Sequence, residues 1–199
     1  CDIGDLTAYR TCQEHILNEM NNGNIAENIV TKEELPKGNY SIEPPVFIGK
    51  DVTIGENTVI GPFAVIEDGV SIGENAKIVH SVLLEDSTVG SGASIYKAVL
   101  CENSAVRRNS QIFENSAVGA GSVIGENSVV CEGVLIWPEK QVGKDVCVNK
   151  NLKYGTNRRE IFDDYGIGTD ERLDAEKCAA IGEAIGSVFH KKKIGTACD

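Results

Sequence analysis

An aliphatic residue returns at every sixth position of this chain from about Val46 to about Val148, and few folds can accept that spacing. Ile48, Ile54, Ile60, Ile66, Ile72 and Ile78 are followed by Leu83, Val89 and Ile95, then by Leu100, Val106, Ile112, Val118, Ile124, Val130, Ile136, Val142 and Val148. All eighteen are Ile, Leu or Val. Two positions ahead of nearly every one stands a small or β-branched residue, among them Val52, Thr58, Ala64, Val70, Ala76, Ala93, Ser104, Ser116, Ser122 and Ser128, with Lys140 the exception. A β-strand alternates with period two and an amphipathic helix with period 3.6, so period six requires a chain that turns a corner every six residues. Three such faces close a triangular coil, and each coil hydrogen-bonds to the next through parallel strands. The expected fold is mainly β: a left-handed parallel β-helix of hexapeptide repeats, about six coils at ~4.8 Å each or about 30 Å in all, with flanking N- and C-terminal helices.

The register contains its own check. Taking every third repeat gives three aliphatic columns: Ile48, Ile66, Leu83, Leu100, Val118 and Ile136 on a first face; Ile54, Ile72, Val89, Val106, Ile124 and Val142 on a second; Ile60, Ile78, Ile95, Ile112, Val130 and Val148 on a third. Two steps are one residue short, Ile78 to Leu83 and Ile95 to Leu100, and both fall at the same corner of successive coils. The tight turns at the corners account for Gly-Glu-Asn at 55–57, 73–75 and 125–127, and for Gly49, Gly61, Gly69, Gly90, Gly92, Gly119 and Gly121.

Ahead of the repeat, Ile3, Leu6, Tyr9, Ile16 and Leu17 give a helical apolar pattern that ends at Asn21, Asn22, Gly23 and Asn24. A solenoid end exposes unpaired strand groups, so this helix or the segment 25–42 is expected to cap the first coil. Behind the repeat, 149–156 reads as a linker. A second helix is expected over 174–189, with Asp174 as N-cap, Cys178, Ile181, Ile185 and Val188 on one face, and Gly182 and Gly186 alongside. Lys191, Lys192 and Lys193 follow. A tail of this size buries too little surface to fold alone, which implies a piece of a longer protein whose tail docks on the prism or on another copy.

Charge and composition exclude some classes. A hydrophobic share of 41% with 25% charged residues is that of a soluble protein, and the net charge of −11 disfavours nucleic acid and anionic membranes as partners. With no apolar run long enough to span a bilayer and no signal-peptide pattern at the start, a cytoplasmic location is expected. Cys1, Cys12, Cys101, Cys131, Cys147, Cys178 and Cys198 are odd in number and contain no C-x-x-C pair, so they read as free thiols; Cys101, Cys131 and Cys147 point outward from different coils and lack a histidine for a metal site. His80 is the one histidine within the repeat, two residues beyond Ile78, with its side chain outside the prism. It reads as a solvated surface residue, or as the base of an acyl transfer. His15 and His190 lie in the flanks. Trp137, beside Pro138, reads as a cap, an interface anchor or a residue packed on the tail.

The prism, the stretch from Val134 to Val142 (VLIWPEKQV) and the opening Asp2-Ile3-Gly4-Asp5 resemble the C-terminal part of mannose-1-phosphate guanylyltransferase-type sugar nucleotidyltransferases. In that family an N-terminal domain joins a sugar 1-phosphate to a nucleoside triphosphate and releases pyrophosphate. Cys1-Asp2-Ile3-Gly4 is similar to the end of its W-x-D-I-G motif, which implies for Asp2 the place of a magnesium ligand in the parent enzyme. Phe162–Thr169, the 173–189 helix and Lys193-Ile194-Gly195-Thr196 resemble the start of a phosphohexomutase domain, although Gly166-Ile167-Gly168 lacks that family's arginine. The implied organisation is 1–43 as the end of a nucleotidyltransferase domain with helix and linker, 44–150 as β-helix, and 151–199 as linker and start of a mutase-like domain. The family's glycine-rich nucleotide loop is missing from these residues. The resemblance therefore implies a non-catalytic assembly or regulatory region with no cofactor of its own, a homo-oligomer through the β-helix, belonging to a GDP-mannose-type pyrophosphorylase. A hexapeptide acyltransferase and a structural binding solenoid are the alternatives.

Overall fold

A computed structural model describes residues 5–22, 29–31, 34–153, 162–163 and 166–167. The chain divides into two units, Cys1–Arg159 and Glu160–Asp199. In the second, the described residues form one short antiparallel pair, Phe162–Asp163 against Gly166–Ile167. The helix expected over 174–189 and the lysines at 191–193 lie outside the described residues.

The first unit opens with helix α1 (Leu6–Asn22), followed by strands β1 (Ile29–Thr31), β2 (Ser41–Ile42), β3 (Val46–Ile48), β4 (Thr53–Ile54) and β5 (Val59–Ile60). From β3 onward the chain winds through three parallel sheets, one per face, of seven, six and seven strands. This is the left-handed parallel β-helix. The register follows the three aliphatic columns: Ile48 pairs with Ile66 and Ile66 with Leu83 on the first face, Val89 with Val106 on the second, Ile95 with Ile112 on the third. Every repeat residue is buried except Ile54, which is half-buried. The exception has a cause. β1 and β2 extend the first and third sheets beyond the first coil, whereas the second sheet begins at β4, so Ile54 lies on an uncovered edge. Each fully buried Ile, Leu or Val contributes roughly 1.5–3 kcal/mol of transfer free energy, and the columns concentrate that contribution along one axis.

The corners obey two separate requirements. The left-handed backbone conformation falls on the asparagine of Gly-Glu-Asn, with φ of 57° at Asn57, 55° at Asn75 and 53° at Asn127. Asparagine tolerates it because its short side chain bonds locally, and here it also bonds between coils: Asn109 Nδ2 donates to Asn127 Oδ1 at 3.2 Å, and Asn127 Nδ2 to Asp145 Oδ1 at 2.9 Å. The glycine serves coil stacking instead. A Cβ on Gly55 would stand 2.4 Å from the Glu74 nitrogen, and one on Gly125 would stand 2.3 Å from the Gly143 oxygen. The small residues ahead of each aliphatic do more than fill space, since the buried hydroxyls of Thr58, Ser110, Ser122 and Ser128 donate to Gly73, Gly125, Trp137 and Gly143 carbonyls of the next coil at 2.6–2.9 Å.

The first coil is capped by the segment and not by the helix. β1 pairs in parallel with β3, β2 with β5, and Leu35 and Ile42 pack against the core. Helix α1 lies along the first face, where Leu17 joins the outward-pointing Val65, Val82 and Val99, with Leu6, Tyr9, Phe47 and Leu84 around them. Ile16, expected on the apolar side, is exposed at 41%.

Candidate functional site

Each corner of the prism holds a residue with positive φ, and the corner between Ile60 and Ile66 holds two, Gly61 and Phe63. Along the first-to-second corner these are Asp51, Gly69, Asp86, Asn103, Gly121 and Glu139, and along the second-to-third corner Asn57, Asn75, Gly92, Asn109, Asn127 and Asp145. The third-to-first corner differs. Its column reads Phe63 at φ 55°, His80 at 49° and Lys97 at 46° before Asn115 and Gly133. Phenylalanine and lysine pay a backbone cost of order 1 kcal/mol in this conformation, so three such residues on one edge mark a place held by its surroundings. His80 and Lys97 stand at the two corners that the repeat shortens by one residue.

What surrounds this column is α1. Thr7, Arg10 and Glu14 follow helical spacing and share one stripe of the helix. Arg10 Nη2 donates to Asn115 Oδ1 at 3.0 Å, Thr7 Oγ1 lies 3.5 Å from the same oxygen, and Glu14 Oε1 lies 2.9 Å from His80 Nδ1. The helix therefore runs from the fifth coil back toward the third, opposite to the stacking direction. Its first turn is capped by Asp5, whose Oδ1 accepts from the Ala8 nitrogen at 2.7 Å. Phe63 stacks on His80 with ring centroids 4.9 Å apart and planes 28° from parallel. Arg10 is only 7% exposed, and its Nε has no hydrogen-bond partner among the described residues. Burial against the prism raises the Tyr9 hydroxyl above its ordinary value, and burial followed by the charge of Glu102 raises the Cys101 thiol. At the outer edge Lys97 Nζ sits 3.5 Å from Glu114 and 5.1 Å from the Tyr96 ring centroid.

Chemically, Glu14 favours the His80 tautomer that carries its proton on Nδ1, leaving Nε2 with the lone pair. That is the arrangement of an oriented base, and equally of a hydrogen-bonded tie between helix and prism. His80 is outside the prism, as the repeat requires, but it is held between Glu14 and Phe63 and is not simply solvated. His15 is exposed. Asp2, His190 and Cys1, Cys178 and Cys198 lie outside the described residues, and among the described residues no group of three or more His, Cys, Asp or Glu side chains comes together as a metal site would need. Cys131 and Cys147, read from the sequence as separated by belonging to different coils, have their sulfurs 3.6 Å apart. Trp137 is 47% exposed, its nitrogen donates to Leu152 at 3.0 Å, and Lys153 Nζ lies 4.6 Å over its ring, so it packs on the residues that leave the last coil. Sequence reasoning missed Arg10, Glu14, Phe63 and Asn115. The one available signal was Gly61-Pro62-Phe63-Ala64, where phenylalanine takes the place that asparagine or aspartate holds at most other corners.

The family model for the GMPPB C-terminal domain matches residues 42–152, more than half of the chain and nearly all of the prism. The chain belongs to that family. Curated relatives of this GMPPB-type domain include the bifunctional protein GlmU of Syntrophomonas wolfei, 35% identical over 88 residues, and that of Thermodesulfovibrio yellowstonii, 31% identical over 84 residues. Each match takes in 42% of this chain but only 20% and 19% of the relative, so the chain spans about a fifth of their length. Among solved structures, the domain is similar to a UDP-N-acetylglucosamine acyltransferase from Campylobacter jejuni, with 12% identity, 83% of this chain and 84% of that one covered, and a TM-score of 0.46. It is also similar to LpxA from Acinetobacter baumannii, with 12% identity, 64% and 65% covered, and a TM-score of 0.42. The GMPPB-type prism is thus the C-terminal β-helix region of the sugar nucleotidyltransferases. No helix among its described residues is long and apolar enough to cross a membrane.

Proposed function

We propose that this chain is a non-catalytic assembly and regulatory region of a cytoplasmic sugar-nucleotide pyrophosphorylase, with GDP-mannose the product class. The observation that carries the reading is the family match over 42–152. The junction at Phe63, His80 and Asn115 adds a mechanical reason. By resemblance α1 continues from the end of a nucleotidyltransferase domain, and it is tied to the prism by Arg10, Glu14 and the apolar contacts of Leu17. A catalytic domain that ends in such a helix is fixed in orientation relative to the coil stack. Magnesium, with Asp2 among its ligands, belongs to that catalytic domain in this reading, where it would offset phosphate charge; the prism's own residues bind and orient.

Self-association belongs on the faces that α1 leaves open. On the third face Tyr96 and Phe113 stand in register on adjacent coils and are 38% and 41% exposed, with Val79 continuing the column. Exposed aromatic clusters of this kind are common interface anchors. Sedimentation velocity of the chain over a concentration series tests it: an oligomer that Phe113→Glu returns to monomer supports the reading, and a monomer at every concentration contradicts it.

A second reading, an acyltransferase with His80 as base, is favoured by the His80–Glu14 pair alone. Acyl transfer from an acyl-CoA donor that is abolished by His80→Ala would establish it. The mutase-like reading of 162–199 stands as a proposal on resemblance only.

A further inference from the structure

We infer that Cys131 and Cys147 form a two-thiol modification site on the third face, which a small-molecule disulfide converts into a disulfide joining the fifth and sixth coils. The strand Val129–Val130 pairs in parallel with Cys147–Val148, Val129 opposite Cys147. Cys131 leaves the first strand with its nitrogen donating to Val148 oxygen at 2.9 Å, so both cysteines are anchored to the same pair of strands. Their side chains point outward and meet at 3.6 Å between sulfurs. Cys131 stands diagonal to Cys147 in this register, and a disulfide bond is about 2.05 Å long, so the sulfurs must close by roughly 1.5 Å through side-chain rotation together with backbone movement where the strands end. Cys147 is exposed and Cys131 half-buried, which makes Cys147 the thiol that meets a reagent from solution.

The chemistry is thiol–disulfide exchange. The Cys147 thiolate attacks one sulfur of a disulfide such as glutathione disulfide, forming a mixed disulfide and expelling one thiolate, which takes up the proton that Cys147 lost. The Cys131 thiol then gives up its proton, attacks the Cys147 sulfur and expels the second thiolate, which takes that proton. Two protein thiols and one small disulfide become one protein disulfide and two small thiols. Burial and the neighbouring Cys147 hold the Cys131 thiol above its ordinary range, which keeps its thiolate fraction low, so the second, intramolecular step rests on the 3.6 Å separation of the two sulfurs.

The position gives the bond a use. The loop it closes, from Glu132 to Val146, is most of the last coil, and there the inward places held elsewhere by buried small residues carry the half-buried Lys140 and Val146. The cross-link would fasten the least well packed coil of the prism.

Incubation of the full chain with glutathione disulfide, alkylation of remaining thiols and peptide mapping tests the site. The expected result is a 131–147 linked peptide with loss of both free thiols, reversed by reductant, and slower hydrogen exchange over 141–148 in the oxidised protein. Cys131→Ser should leave glutathione on Cys147. Glutathione retained separately on the two residues of the folded parent protein, linkage of either one to another cysteine, or unreacted thiols would overturn the proposal. Circular dichroism of the serine variant separates loss of the site from loss of the fold.

Discussion

Lys97 sits in the left-handed region at φ 46°, on the edge it shares with Phe63 and His80, whereas most corners of the other two edges place asparagine, aspartate or glycine. Its compensations are an exposed contact with Glu114 and the Tyr96 ring, and exposed ion pairs are worth at most about 1 kcal/mol. Lys97→Asn should therefore move the urea midpoint upward, the strain relieved exceeding the exposed pair lost. Gly55→Ala should act in the opposite direction, because its Cβ meets the Glu74 backbone at 2.4 Å and backbone cannot rotate away; a loss of more than ~1 kcal/mol in the same assay is expected. These two residues also show what the sequence could and could not reveal. The inward register was legible because period six leaves the aliphatic side chains no other place to go. The reason for each corner glycine was not, because turn preference and coil-to-coil crowding select the same amino acid. The thiol contact between Cys131 and Cys147 was derivable from the register, but spacing of 16 hides it unless the coils are stacked first.

Helix α1 was legible as an element and not as a packing. Leu6, Tyr9 and Leu17 mark its apolar stripe, but an amphipathic pattern says nothing about which surface receives it, and the end of the solenoid was the natural expectation. The receiving surface was written in the outward positions Val65, Val82 and Val99, apolar in three successive coils of one face where solvated positions are usually polar. Leu17, 4% exposed, anchors the contact. Leu17→Ala should cost about 2–4 kcal/mol of docking free energy, read as faster hydrogen exchange in 6–22 with the prism unchanged. Tyr9 gives a pH test. Burial holds its hydroxyl above the ordinary 10.0, so the folded state retains a proton that the undocked helix releases. The contribution is complete below about pH 10 and declines as pH rises through the higher folded value. Exchange in α1 should accelerate above pH 10 in the parent protein and less so in Tyr9→Phe.

At the scale of the molecule, the prism is a stack in which every coil depends on its neighbours, so its stability is distributed along the axis. Leu100, in the fourth coil and fully buried, has neighbours on both sides; Leu100→Ala should cost about 2–5 kcal/mol and lower the transition of the whole prism as one unit in calorimetry. The function is harder to read than the fold because the repeat specifies a shape that serves many chemistries. What the structure adds is a helix tied along one face at a strained corner, with no other helix among the described residues on the remaining two faces; the family match over 42–152 adds the sugar-nucleotidyltransferase assignment. The measurement that tests this most directly is pyrophosphate release from GTP and mannose 1-phosphate, assayed side by side for the 199-residue chain and for the gene product that contains it. Release by the gene product and none by the chain is the expected result. Release by the chain alone, or none by the gene product with any sugar 1-phosphate and nucleoside triphosphate, would contradict it.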